Sequence, residues 1–214
     1  MFNDRAEAGR TLAKSLSDYK GKKVVVFAIP RGGVVLAYEV AKALDAPLDL
    51  IIPRKIGAPN EPEFAIGAVT EDGTTILNQD AIQYLGVSDV YIQQEVKRQI
   101  AEIKRRMKRY LGYGPRPSVE GKTVILVDDG IATGATIRAA IASIRKKKPD
   151  SIVLAIPVGP PDTVEELRKE VDLVVCLMTP EPFFAIGQFY RRFEQLDDEE
   201  VVQILDKLKL DKLK

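Results

Sequence analysis

The sequence predicts an α/β protein built on a doubly wound, mainly parallel five-stranded sheet. Two observations carry this. Five short, continuous apolar runs, VVVFAI (24–29), LDLIIP (48–53), TVILVD (123–128), SIVLAIP (151–157) and DLVVCLM (172–178), are separated by segments that mostly show helical periodicity. Such runs are strands buried on both faces, which is what a parallel sheet between two helix layers requires. A chain of 214 residues with 45% hydrophobic content fills one such core, and a second full domain is not expected.

The elements follow in order. Residues 4–19 read as a helix, with Asp4 and Glu7 spaced for a capping box and Leu12, Ala13 and Leu16 on one face. Strand 24–29 is stopped by Pro30, and Gly32 and Gly33 lead into a helix over 34–44. After strand 48–53, residues 64–70 and 74–77 flank Glu71-Asp72-Gly73 as a β-hairpin. Ser88 caps a helix to about Leu111, with Ile92, Val96, Ile100, Ile103, Met107 and Tyr110 on one stripe. Strand 123–128, helix 135–147, strand 151–157, helix 162–169 and strand 172–178 complete the alternation. Asp197 caps a last helix to about Leu208.

Composition removes several function classes. Lys+Arg 32 against Asp+Glu 31 gives no bulk attraction to nucleic acid or a membrane surface. The absence of histidine argues against zinc chemistry and against Ser-His or Cys-His catalysis. No apolar run is long enough to cross a bilayer, and the polar N-terminus is not a signal peptide. Cys176, alone in LVVCLM, reads as a strand residue without a disulfide partner, so a cytoplasmic protein is expected. The basic run KRQIAEIKRRMKRY (97–110), with few acids, reads first as a solvated helix face. A dimer contact, attraction of an anionic substrate or RNA binding are its sharper readings.

The chemistry concentrates in VILVDDGIATGAT (124–136). A core strand runs into Asp128 and Asp129, then into a small-residue loop that opens a helix. Small residues let backbone N–H groups approach an anion, and the helix start and threonine hydroxyls add donors. Carboxylates accept only, so Asp128 and Asp129 suit hydroxyl donors or a hydrated cation. A phosphorylated ribose with an associated Mg²⁺ satisfies both halves. A Walker-type nucleotide site is disfavoured, since G-x-x-x-x-G-K-[ST] does not occur.

This stretch resembles the phosphoribosyl pyrophosphate (PRPP) signature of the type I phosphoribosyltransferases. The resemblance implies that Asp128 and Asp129 bind the ribose hydroxyls, and that Thr133, Gly134, Ala135 and Thr136 bind the 5′-phosphate. Gly130 stands where the family usually has a branched apolar residue. AIPRGGV (28–34) is similar to the family's pyrophosphate loop, in which a sometimes cis peptide presents amides to the diphosphate. Arg31, Gly32 and Gly33 carry that expectation. RKIGAPNEPEFAIGAVTEDG (54–73) corresponds to the flexible loop that closes over PRPP, with Arg54 and Lys55 near pyrophosphate.

What the resemblance implies is one domain over 1–214, with a core at about 20–178. A small hood comes from the N-terminal helix and about 179–214. Transfer of the phosphoribosyl group from PRPP to a nitrogen acceptor, a nucleobase by default, would pass through a ribosyl cation-like state with Mg²⁺. Asp128, Asp129 and Arg31 are the catalytic candidates, and water-mediated contact of Mg²⁺ with Asp128 and Asp129 is allowed for. Phe183 or Phe184, in PEPFFAIGQFYRRF (180–193), is a candidate to stack on the base. EPEFAIG (61–67) and EPFFAIG (181–187) echo each other. Ala132 stands where hypoxanthine–guanine members carry an aspartate, which argues against a 6-oxopurine acceptor. The likeness is greatest to an uncharacterised bacterial and archaeal branch, and a homodimer or higher homo-oligomer is expected. A PRPP-sensing regulator that binds without turnover is the rival reading.

Overall fold

The computed structural model describes residues 1–112 and 115–211. Helix α1 (Arg5–Ser15) precedes strand β1 (Val24–Ala28) and helix α2 (Gly33–Leu44). Strands β2 (Leu48–Leu50), β3 (Arg54–Gly57), β4 (Ala65–Val69) and β5 (Thr75–Leu77) follow, then α3 (Gln79–Leu85) and α4 (Asp89–Leu111). The second half alternates β6 (Thr123–Val127), α5 (Ala135–Lys146), β7 (Ser151–Val158), α6 (Pro161–Arg168) and β8 (Leu173–Met178), and closes with α7 (Asp198–Asp211).

The main sheet has five strands in the order β2-β1-β6-β7-β8, all parallel. Its side chains divide by alternation. Val24, Val26 and Ala28 face one core with Ile125, Val127, Val153 and Ala155, against α1, α2 and α7. Val25 and Phe27 face the other with Leu126, Leu154 and Ile156, against Ile137, Ile141 and Ile144 of α5 and Leu167 of α6. Both faces are buried, so the strands read as unbroken apolar runs. From β1 the chain proceeds to β2 on one side, while β6 lies on the other. Ala28 and Val127 are register partners, so the loops after β1 and β6 leave the sheet together at this switch point.

Several local features differ from expectation, among them β2, which ends at Leu50, and α3, which was not expected. Arg54–Gly57 is a strand, pairing antiparallel with β4 across a loop at 58–64, so the expected flexible segment is partly a three-stranded sheet, β3-β4-β5. The predicted hairpin is β4–β5, and its turn is held by Asp72, which accepts from Thr70 Oγ1 at 2.6 Å and Thr74 Oγ1 at 2.9 Å. Helix α1 ends at Ser15, and a 3₁₀ turn covers 17–19. Asp4 caps it as expected through Glu7 N, but the Glu7 carboxylate reaches the amide of Asn3. Ser88 caps α4 by accepting from Tyr91 N, and Asp197 accepts from Glu200 N at the start of α7. Of the expected hood, residues 212–214 lie outside the described residues.

Candidate active site

The loops after β1 and β6 are in contact, and glycine makes the contact possible. A Cβ on Gly32 would lie 1.8 Å from Asp129 Oδ2, and one on Gly33 would lie 2.9 Å from the Val127 carbonyl oxygen. The 30–33 loop therefore lies directly against the paired aspartates, and its Pro30–Arg31 peptide is cis. Asp128 Oδ1 accepts from Asp129 N at 2.8 Å. Asp129 Oδ2 accepts from Arg5 Nε at 2.7 Å. Burial first, then the Asp129 charge, pushes the Asp128 carboxyl well above the usual carboxylate range. Burial raises Asp129 as well, with Arg5 opposing.

The loop 130–134 delivers the chain to the start of α5. Gly130 has φ 154°, and the side chain it lacks would meet Ile186 Cγ2 at 2.6 Å. Ile186 thus occupies the space a side chain at 130 would need. The loop is pinned from outside: Thr163 Oγ1 donates to the Ala132 carbonyl at 3.0 Å, and Arg138 Nη1 to the Thr133 carbonyl at 2.9 Å. Gly134, at the N-cap of α5, brings no side chain to the first-turn amides. The first-turn amides of a helix have no intrahelical acceptor and carry the positive end of its dipole.

Two cavities reach the start of α5 and share Lys55 and Glu63. A polar one of about 600 Å³ joins Pro30 and Thr136 to Arg54, Lys55, Arg98 and Arg106. A more apolar one of about 550 Å³ joins Thr133 and Ala135 to Lys55, Phe64, Ile76 and Leu77. Arg54 donates to Gln99 of α4, and burial, then the nearby Arg106, lowers its pKa. The arginines of the 97–110 run are paired, contrary to the expectation of few compensating acids. Arg98 binds Glu95, and Arg105 and Arg106 bind Glu102, whose pKa falls to about 2, mainly through its hydrogen bond from Arg105. Arg109 binds Asp198 and Glu199. Arg31 also approaches Asp198, at 3.9 Å.

Residues 3–191 match the phosphoribosyl transferase domain family. The chain belongs to this family. Two Mycobacterium tuberculosis proteins carrying provisional phosphoribosyl transferase names are 46% identical over 207 residues, covering 97% of this chain and 47% of theirs. The chain thus spans about half the length of these curated relatives. Among solved structures, TT1426 from Thermus thermophilus is 40% identical with a TM-score of 0.81, over 97% of this chain and 99% of that one.

Within this phosphoribosyl transferase domain, the structure brings Gly32 and Gly33 onto Asp129 and Asp128, and Lys55 lines cavities shared with Thr133, Ala135 and Thr136. Phe183 and Phe184 line neither cavity. Phe183 stacks on Phe189 at 5.3 Å between centroids, while Phe184 is 83% exposed. The 181–187 turn still reaches the site, through Ile186 against Gly130. Sequence reasoning missed Arg5, Tyr190 and Asp198. The Tyr190 hydroxyl donates to the Asp129 carbonyl at 2.7 Å, and burial raises its pKa. The one available signal was the expectation that both chain ends fold over the site.

Among the described residues, no group of three or more His, Cys, Asp or Glu is placed to hold a metal. The available donors are the two adjacent carboxylates. That set fits a Mg²⁺ ion that arrives with phosphate ligands and retains water, and it does not fit an all-protein cage. No described helix is long and apolar enough to cross a membrane.

Proposed function

We propose that this chain transfers the 5-phosphoribosyl group of PRPP to a nitrogen atom of a small acceptor, a nucleobase by default, and releases pyrophosphate. The observation that carries this is the contact between the 30–33 loop and the aspartate pair. It supports reading the 30–33 loop as the diphosphate site and the aspartate pair as the diol acceptor, with the helix start at Gly134 following on the same chain segment. PRPP presents those three chemistries in one molecule.

In this reading Asp128 and Asp129 accept from the ribose 2′- and 3′-hydroxyls, which requires both in the ionised form. The amides and hydroxyls of Thr133, Gly134, Ala135 and Thr136 hold the 5′-phosphate. Arg31, the Gly32 and Gly33 backbone, Arg54 and Lys55 bind the diphosphate. Mg²⁺, held through phosphate oxygens and by water to Asp128 and Asp129, would neutralise charge on the leaving group. The bond from C1 of the ribose to the diphosphate breaks, and a bond from C1 to the acceptor nitrogen forms. The acceptor's displaced proton leaves to solvent or to the released diphosphate. The protein contributes position and electrostatics, with no covalent intermediate. In this reading the hood, from α1 and the chain after β8, supplies Phe184 for the acceptor, while Phe183 stacks on Phe189.

A panel of nucleobases with PRPP and Mg²⁺, scored by pyrophosphate release, tests this reading. Asp128→Asn and Asp129→Asn should abolish release. Binding of PRPP by the native chain with no base accepted would replace the enzyme by a sensor. Absence of PRPP binding overturns both.

A further inference from the structure

Among the described residues, Phe64 and Phe184 are the exposed members of the chain's seven phenylalanines, at 47% and 83%. They occupy the same place in the two echoed heptapeptides, Glu61–Gly67 and Glu181–Gly187, which differ only at Glu63 and Phe183. The two segments bracket the loop between β6 and α5. The second meets it at its beginning, where Ile186 lies against Gly130. The first meets it at its end, where Phe64 shares a cavity with Thr133 and Ala135.

Each segment is held by hydrogen bonds of its backbone while its phenylalanine stays exposed, Phe64 by about half and Phe184 mostly. In the 181–187 turn the Phe184 and Ala185 amides donate to Gln188 Oε1 at 3.2 and 3.1 Å. In the 58–64 loop, Phe64 N donates to the Glu61 carbonyl at 2.9 Å, and its own carbonyl accepts from Ala58 N at 2.9 Å. Backbone bonds at both ends of Phe64 fix its position while about half of it stays exposed. Its cavity, about 550 Å³ and walled by Phe64, Ile76 and Leu77, falls in the size range of small-molecule sites. Lys55 and Glu63 supply a donor and an acceptor at its edge.

We infer that Phe64 is an acceptor-binding residue, supplying from the 58–64 loop an aromatic face for a flat, nitrogen-bearing ring. This rests on the phosphoribosyl-transfer reading and adds to it a loop residue that contacts the acceptor ring.

The test uses the whole chain with PRPP and Mg²⁺ and a panel of flat probes: adenine, hypoxanthine, uracil, orotate and the fluorescent 2-aminopurine. Saturation-transfer NMR reads ring binding, calorimetry reads PRPP binding, and thermal melts check folding. At least one ring should bind the native chain. Phe64→Ala should weaken that ring about tenfold or more, the scale of a lost stacking partner, with PRPP affinity within about twofold on the same free-energy scale. Phe64→Tyr should restore ring binding, and Phe64→Leu, apolar but without a π face, should not. If Leu restores it, if PRPP affinity falls in parallel, or if no ring binds the native chain, Phe64 is not an acceptor residue. In every one of those outcomes the PRPP calorimetry still reports separately on the phosphoribosyl-transfer reading.

Discussion

Arg5 and Asp129, 124 residues apart in sequence, meet at 2.7 Å through Nε and Oδ2, with side chains only 12% and 13% exposed. The same guanidinium lies 3.8 Å over the Phe193 ring, and its Nη1 donates to the Glu194 carbonyl at 2.8 Å. One side chain of α1 therefore ties the end of β6 to the chain beyond β8. It also occupies one oxygen of a carboxylate that the proposed reaction needs for a ribose hydroxyl.

Removal of Arg5 leaves the Asp129 charge buried without its partner. Arg5→Ala should destabilise the chain by about 3 kcal/mol, the scale for breaking a buried pair from one side. Arg5→Lys should recover part of this, because an ammonium keeps the charge but loses the planar contact with Phe193. Urea midpoints at neutral pH measure both. Equal midpoints for Arg5→Ala and the native chain would show that the pair contributes nothing.

Asp128 predicts an inverted pH effect. Folding raises its pKa, so the folded chain holds that proton more tightly than the unfolded chain. Its contribution therefore favours folding below the free-carboxyl value of about 3.9 and is lost as pH rises through the folded value. In buffer free of Mg²⁺ and PRPP, Asp128→Asn should melt higher than the native chain at pH 8. The gap should close as pH falls toward 4. The same substitution should weaken PRPP binding, which separates a residue kept for function from one kept for stability. A native chain more stable than Asp128→Asn at pH 8 contradicts this account.

Gly32→Ala probes the contact between loops. Its Cβ would fall 1.8 Å from Asp129 Oδ2 and 2.8 Å from Arg5 Nε, so the loop and the pair cannot both stay in place. Displacement of about 1 Å at a reacting centre costs on the order of 100-fold in rate. A loss of that size in kcat/KM for PRPP is expected, with far-UV circular dichroism unchanged. Native-like kinetics would mean that the two loops do not need to touch.

The legible parts of the sequence were those in which neighbours along the chain carry the signal. VVVFAI and TVILVD read as strands because both faces are buried, and VILVDDGIATGAT keeps its whole pattern within one strand, loop and helix start. Strand β3 was hidden because its partner, β4, lies beyond a loop holding Pro59 and Pro62, and RKIG shows no alternation of its own. Buried Glu95 and Gln99 on α4 look solvent-facing in sequence, yet they satisfy one another at 2.6 Å. Arg5 had no local pattern at all, because its meaning depends on a carboxylate 124 residues away.

Asp198 joins the last helix to the site in the same long-range way. Its Oδ1 accepts from the Tyr110 hydroxyl at 2.6 Å, its Oδ2 from Arg109 at 3.1 Å, and Arg31 stands 3.9 Å away. Burial and this hydrogen bond push Tyr110 up to about 12, while the Tyr110 bond is the main cause lowering Asp198. A lowered carboxylate stabilises the fold above its unfolded pKa, and that contribution is lost as pH falls through the folded value. Asp198→Asn should therefore cost about 2 kcal/mol at pH 7, the scale of a hydrogen bond to a charged group. The deficit should shrink as pH is lowered below about 4, the unfolded value for an aspartate. Urea unfolding at several pH values reads this directly, and a deficit that stays constant down to pH 3 would remove the charge from the explanation.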